Sequence, residues 1–539
     1  MGSGRQWQGD SRGERDSINR RDLLRYSALA GVGLVMAPVL SACNVGGSSP
    51  GGAPGGPPPS KPTGTLRVAS QELISLDPTL DTGPGLQALT PNVYESLLRY
   101  KGDSIELENL LARSHRSSPD AKEWVFELKE GVRFHDGEPL TSSAVRASYE
   151  YYARAGTPWP GIAPQNVTYD DSDPKIFRIA SSVPLPDMAR NATFIRIISP
   201  KLLAAGPEAV GKAPAGTGPF RFGRYDTSNS LVIEAVDNYH AGGAPHLEKI
   251  QFQIIPDPSS QIAALRSGGI DLIRKVTPAD AQPLRSDSSL VLVEKASWGQ
   301  TQLLFFLNSP PVDNVKLRQA IACAIDRETI IRVLLGGAGK QHDSVLPPGV
   351  YGYAHPESTY TFDLDRAKRL LAESGLRTPV DMETVWDVGF TTSTSAERLS
   401  RAVAGMVEKI GINLKVTQKP ISQFAKDFFD PKVVPSYQLA TGDNSWVTGG
   451  PLFFNTSYFQ NATRFNDPRF LELNDKMLTT PDGPERLKLL ADIQNLFAEQ
   501  LPQIPLFTKL DISAHKANLQ GYISSPDGIQ ADFGKAYLG

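Results

Sequence analysis

Forty-three prolines and forty-seven glycines are dispersed through this 539-residue chain, and that spacing confines every helix and strand to a short run between turns. The short runs alternate between two hydrophobic periods. "GTLRVAS" at Gly64–Ser70, "SLVIEAV" and "KIQFQII" alternate as strands do. In "EWVFELKEGVRFHDG", Trp124, Phe126 and Leu128 alternate and Gly131 breaks the run before Val132 and Phe134, which predicts a strand pair. "TSSAVRASYEYYARA" predicts a helix capped by Thr141 or Ser142, and "SSQIAALRSGG" a shorter one with a glycine stop. "NVKLRQAIACAIDRETIIRVLLGG" predicts one helix ending at Gly336-Gly337. "DLDRAKRLLAESG" predicts another, from a cap at Asp363 to a stop at Gly375. In "SAERLSRAVAGMVEKIGINLKVTQ" a helix, a glycine turn and a strand follow one another, as in a crossover unit. The class is α/β. The body from about Gly64 to Gly539 exceeds what one core supports, so two or three domains are expected.

The segment before that body has a different character. "NRRDLLR" at Asn19–Arg25 precedes a thirteen-residue apolar stretch, Ala28–Leu40, and then "LSAC". A basic start, a short apolar run and small residues predict an export signal, the run being too short to span a membrane. The Arg20-Arg21 pair resembles a twin-arginine signal, with Leu23 where phenylalanine is commoner. Leu40–Cys43 resembles a bacterial lipobox, which implies acylation at Cys43 and a lipid anchor at the outer face of the cytoplasmic membrane. "VGGSSPGGAPGGPPPSKPT" at Val45–Thr63 is a flexible Gly/Pro/Ser tether. The remaining cysteine, Cys323, sits in an apolar run and reads as a small core residue.

Charge excludes some partners: 55 Lys+Arg against 58 Asp+Glu leave a net −3, without the basic excess that nucleic acid demands. The seven histidines are scattered, with no pairing that suggests zinc. No nucleophile elbow, Walker loop or dinucleotide fingerprint occurs. His135-Asp136 is a neighbour pair at a turn, where adjacent side chains point apart. No catalytic residue, cofactor or metal is therefore expected, and a secreted hydrolase is disfavoured.

A series of segments, in order, resembles the bacterial family 5 solute-binding proteins, the dipeptide, oligopeptide and nickel group that serves ABC importers. They are "GVRFHDGEPLTSSAV" at Gly131–Val145, "GTGPF" at Gly216–Phe220, "DNYH" at Asp237–His240 and "IPDPSSQIAALRSGGIDL" at Ile255–Leu272, then "FLNSPPVDNVKLRQAIACAIDRETI" at Phe306–Ile330, "LPPG" at Leu346–Gly349, "YTFDLDRAKRLLAESG" at Tyr360–Gly375 and "LPQIPLF" at Leu501–Phe507. Ala144 departs from the family's usual aspartate. The resemblance implies two lobes joined by hinge strands, one enlarged by an extra subdomain, closing over ligand. On that layout residues 1–43 are the signal peptide and 44–63 the tether. Residues 64–108, 201–302 and 506–539 form lobe I, 109–200 the extra subdomain packed on it, and 303–505 lobe II. Gly131, Gly137, Gly216 and Gly218 are expected to serve turns, and Arg318, Asp326 and Arg327 to tie a helix to its neighbours. The partners implied are a peptide or other small ligand and ABC permease subunits, with the chain a monomer. A non-peptide ligand such as a sugar conjugate, or a peptide-signal receptor without import, remains the alternative.

The binding site is expected around "TGDNSWVTGGPLF" at Thr441–Phe453. Trp446 has two readings, an indole tucked into the core or a wall of the ligand pocket. In peptide-binding relatives a tryptophan here is followed three residues later by an aspartate that clasps the ligand's α-amino group, and in this chain that position is Gly449. Asp443, three residues before Trp446, is the expected substitute, with Asn444 beside it; otherwise the ligand lacks a free amine. "SWGQTQ" with Trp298 and Gln300, and "WDVGFTTSTS" with Trp386 and Asp387, are expected to face the same cleft.

Overall fold

A computed structural model describes residues 57–70, 76–80, 86–102, 104–154, 162–226, 229–388, 395–430, 432–445, 463–524 and 531–539. The export signal, Cys43 and most of the tether lie outside these residues.

Two strands are much longer than the turn-rich sequence leads one to expect, Leu290–Phe305 and Gln503–Lys516. They pair antiparallel from Leu290 opposite Lys516 to Leu304 opposite Gln503, with register shifts between Ala296 and Gln300 and between Thr301 and Gln302. Around them an eleven-stranded sheet is assembled. On one side follow Leu439–Ser445, Val380–Val388 and Ile412–Pro420. On the other follow Leu272–Ile273, Thr65–Ser70, Lys249–Ile254, Ser230–Ala235 and Phe220–Asp226. The short strand Gly339–Gln341 pairs with Gln503–Lys516 off this path.

The long pair enters different cores at its two ends. Leu290, Ile512 and Ala514 are buried with Ala69, Leu265 and Ile273. Leu303, Phe305, Ile504 and Phe507 are buried with Leu317, Ile330, Leu371 and Val403. A separate four-stranded antiparallel sheet, Ala112–Ser117, Glu123–Leu128, Ile176–Ser181 and Val167–Asp173, packs its apolar face on the helix Ser142–Ala153. A further core gathers Trp298, Leu346, Phe465, Phe470, Leu490 and Phe497.

Most local signals fold as expected. Thr141 caps the helix Ser142–Ala153 by accepting from the Ala144 amide. Gly268 stops Pro258–Ser267 in the left-handed conformation, and Val380–Val388 and Ile412–Pro420 pair in parallel across the helix Ser395–Glu408. Arg318 donates to the carbonyls of Val312, Asp313, Gln500 and Leu501, and Arg327 to those of Tyr360 and Pro505, so both are structural ties.

Three expectations need correction. The run "NVKLRQAIACAIDRETIIRVLLGG" forms two helices, Val315–Ala324 and Arg327–Leu334, because Asp326 turns out of the first and caps the second at the Thr329 amide, 2.9 Å away. Val132 and Phe134 are buried but not in a strand; Gly137 N donates to Phe134 O and Phe134 N to Glu138 O, closing a turn. Gly131 and Gly137 have the positive φ expected of turn glycines, but Gly216 and Gly218 do not. A Cβ on Gly216 would lie 2.1 Å from Val93 O, and one on Gly218 2.4 Å from Asn92 O, so these two glycines serve close backbone packing.

Four of the histidines share one property. Burial holds His115, His135 and His515 below their ordinary range and, with the Arg327 charge adding to it, pushes His342 down to about 4. The unfolded chain therefore binds more protons than the folded one below the ordinary histidine value near 6.5. Stability is expected to be full above that pH and to fall as the pH drops toward 4, His342 alone contributing up to about 3 kcal/mol of the loss. Denaturant midpoints measured from pH 7.5 to 5 check this, and His342→Gln should flatten the slope by one proton.

Candidate functional site

The strands Val380–Val388 and Leu439–Ser445 run parallel, Thr384 opposite Leu439 and Val385 opposite Ala440, so their C-terminal ends face the same way. Leu290–Phe305 runs antiparallel to the second of them and brings Gly299 opposite Ser445 at that same end. In open α/β sheets ligands are bound beyond such strand ends. Three chain segments expected at the site thus arrive together: Trp386 and Asp387, Asp443 and Asn444, Trp298 and Gln300.

The register makes a polar row across the sheet. Asn444 lies opposite Gln300, Gln300 opposite Thr508 and Thr508 opposite Lys340. One residue along, Asp443 lies opposite Thr301, and Thr301 opposite Phe507. Gln300 is 1% exposed; its amide nitrogen donates to Val345 O at 2.7 Å and to Gln302 Oε1 at 3.0 Å. Its own Oε1 is buried without a hydrogen-bond partner, and so is the Thr508 hydroxyl. A buried polar atom left this way costs about 1–3 kcal/mol. Two such atoms on directly paired residues form a neutral hydrogen-bonding pair at the middle of the long strands.

The other expected residues are placed differently. Trp298 is 3% exposed and meets Tyr100 edge to face at 5.0 Å, within the core of Phe465 and Leu490. Its ring is committed to packing between segments. Trp386 is half-buried at the sheet end, and Asp387 is in register with Lys419. Trp446 and Gly449 lie outside the described residues, in the segment that continues from Ser445. Thr508 went unnoticed in the sequence, where it follows "QIPLF" as an ordinary strand threonine; only its register opposite Gln300 marks it. Among the described residues no cluster of three or more His, Cys, Asp or Glu side chains could hold a metal, and no helix is long and apolar enough to cross a membrane.

His135 and Asp136 bond different partners. The ring Nε2 of His135 is 2.9 Å from Gly218 O, and Asp136 accepts from the Ser199 hydroxyl. His135 fastens the turn at Gly137 to the Gly216–Gly218 segment, and Asp136 fastens it to Ser199.

Residues 106–465 match the sequence profile of the bacterial extracellular solute-binding proteins, family 5 (middle region). The chain is similar to heme-binding protein A of Haemophilus influenzae, 27% identical over 485 residues that cover 84% of this chain and 88% of the relative. It is similar to the dipeptide-binding protein of Escherichia coli, 25% identical over 485 residues, 83% and 89% covered. Its fold matches the ABC transporter-associated periplasmic binding protein DppA of Helicobacter pylori, solved in complex with the peptide STSA, with a TM-score of 0.73 at 23% identity over 88% of this chain and 98% of that one. The fold is therefore two-lobed. Since the matched region spans well over half of its length, this chain belongs to the bacterial extracellular solute-binding proteins of family 5.

Proposed function

We propose that this protein captures a peptide or peptide-like solute outside the cytoplasmic membrane and delivers it to the permease of an ABC importer, without chemistry of its own. Lobe I is assigned residues 64–108, 201–302 and 506–539 with the subdomain 109–200, and lobe II residues 303–505. Cys43 is assigned as the acylated anchor and Trp446 as an aromatic wall of the cleft. The observation that carries the ligand class is the row Asn444, Gln300, Thr508, whose spare Oε1 and hydroxyl match the N–H and C=O groups of an amide backbone. Asp443 is assigned the ligand's amine, a role the Gly449 position cannot fill, as a contact separate from the row because neighbouring residues of a strand face opposite ways.

That same Gly449 favours a second reading, a polar ligand without a free amine, held by the neutral row alone. Native mass spectrometry of the protein purified from its own source, followed by gentle denaturation to release the passenger, separates the two. A heterogeneous set of peptides is expected; a single non-peptide mass would establish the second reading.

The row itself is tested by Thr508→Val, which deletes a hydroxyl that has no partner in the ligand-free protein. The variant should melt at the same temperature as the parent or higher, yet hold its passenger about fivefold more weakly, the equivalent of roughly 1 kcal/mol for one lost hydrogen bond. A rise in melting temperature with unchanged passenger affinity would remove Thr508 from the site.

A further inference from the structure

Far along the chain from the polar row, four charged side chains meet between two separate cores. Asp187 and Arg190 flank or belong to the short helix Met188–Asn191, whose Met188 and Ala189 are buried in the core of the four-stranded subdomain. Asp482 and Arg486 lie at the start of Pro484–Gln500, whose Leu490 and Phe497 are buried in the core around Trp298. Arg486 is fully buried. It donates to both carboxylate oxygens of Asp187, at 3.0 and 2.6 Å, and to Asp482 at 2.8 Å. Arg190 donates to Asp482 at 2.8 Å and to Asp187 at 3.5 Å, and its guanidinium lies 3.5 Å over the ring of Tyr351. Tyr351 packs with the Trp298 core.

The connectivity is reciprocal. Each arginine bonds one carboxylate from its own side and one from the other. When the two sides part, Arg190 keeps Asp187 three residues away and Arg486 keeps Asp482 four residues away, so no charge is stranded. This differs from a one-way buried ion pair, whose breaking is costly because it leaves a charge uncompensated. Here the four charges have two complete pairings, one across the gap and one within each side. An element with two discrete, fully satisfied states is what a reversible closure requires.

We infer that Asp187, Arg190, Asp482 and Arg486, with Tyr351, form an interlobe clasp that holds the ligand-free protein closed and sets its open-to-closed ratio independently of the solute. The inference rests on the lobe assignment proposed above, in which the subdomain moves with lobe I and Pro484–Gln500 with lobe II, the two meeting where Trp298 and Tyr100 of lobe I pack on that helix. The clasp supplies part of the closing energy from the chain itself, so the solute needs less differential affinity for the closed state.

The test is the distance between spin labels at Glu123→Cys and Asp475→Cys, two exposed positions on the two sides. It uses the ligand-free full chain carrying Cys43→Ser, in which the remaining cysteine, Cys323, is buried. Two distances are expected, the shorter dominant, and Arg190→Gln should raise the longer fraction relative to the shorter about fivefold or more. Asp187→Asn, which removes only a charge, should shift the ratio the same way and replaces Arg190→Gln if that variant fails to fold. Two distances whose ratio neither variant moves would overturn the clasp while leaving lobe motion intact. A single distance in parent and variants alike would overturn the lobe assignment, and the clasp with it.

Discussion

The antiparallel pairing of Leu290–Phe305 with Gln503–Lys516 is the interaction on which the rest of the molecule depends. It joins residues about two hundred positions apart and commits its two ends to different cores, Leu290 and Ile512 to one, Phe305 and Ile504 to the other. At its centre the ladder loses register between Ala296 and Gln300. A bulge bends and twists a strand where it interrupts pairing, and here Ser297 satisfies part of the freed backbone by accepting from Gly299 N and donating to Lys509 O. Well-packed ends and an irregular middle concentrate any deformation at the bulge, which is beside Gln300 and Thr508.

Much of this fold is legible in the sequence because its signals are local. Asp363 and Gly375 bracket a helix through cap and stop chemistry that needs no distant partner. The failures occur where local signals compete or tertiary contact decides. In "ACAIDRETII" the apolar period runs unbroken, yet the Asp326 carboxylate finds a better partner in the Thr329 amide and divides the helix. At Gly216 and Gly218 the constraint is the backbone at Asn92–Tyr94, more than a hundred residues earlier, and a glycine in sequence looks the same whether it turns or merely makes room. The length of the central strands is hidden in the same way, since "SWGQTQ" reads as a loop when its partner strands are unknown.

The site divides along the same line. Asp443, Asn444, Trp298 and Gln300 are visible as unusual residue types near turns, and strand pairing then sorts them: Asn444 and Gln300 become neighbours in one row, while Trp298 is absorbed into a core with Tyr100. Thr508 could be found only through register, because nothing near it in sequence marks a hydroxyl as exceptional. The charges at Asp187 and Arg486 are similarly ordinary in sequence. Their significance lies in a separation of 299 positions closed to 2.6 Å.

The two polar constellations have opposite chemistry, and that contrast bears on what the protein recognises. Around Asp187, Arg190, Asp482 and Arg486, two charges of each sign balance one another. In the central strands the pair Gln300 and Thr508 is neutral, with two buried polar atoms that lack a hydrogen-bond partner. A neutral row discriminates by the number and placement of donors and acceptors, since an incoming group that fails to satisfy Gln300 Oε1 leaves it buried and unpaired. A cationic terminus instead demands a compensating anion at a defined distance, and Gly449 provides none. On the reading proposed above, the neutral row selects by hydrogen-bond pattern, and selection by charge falls to Asp443 alone.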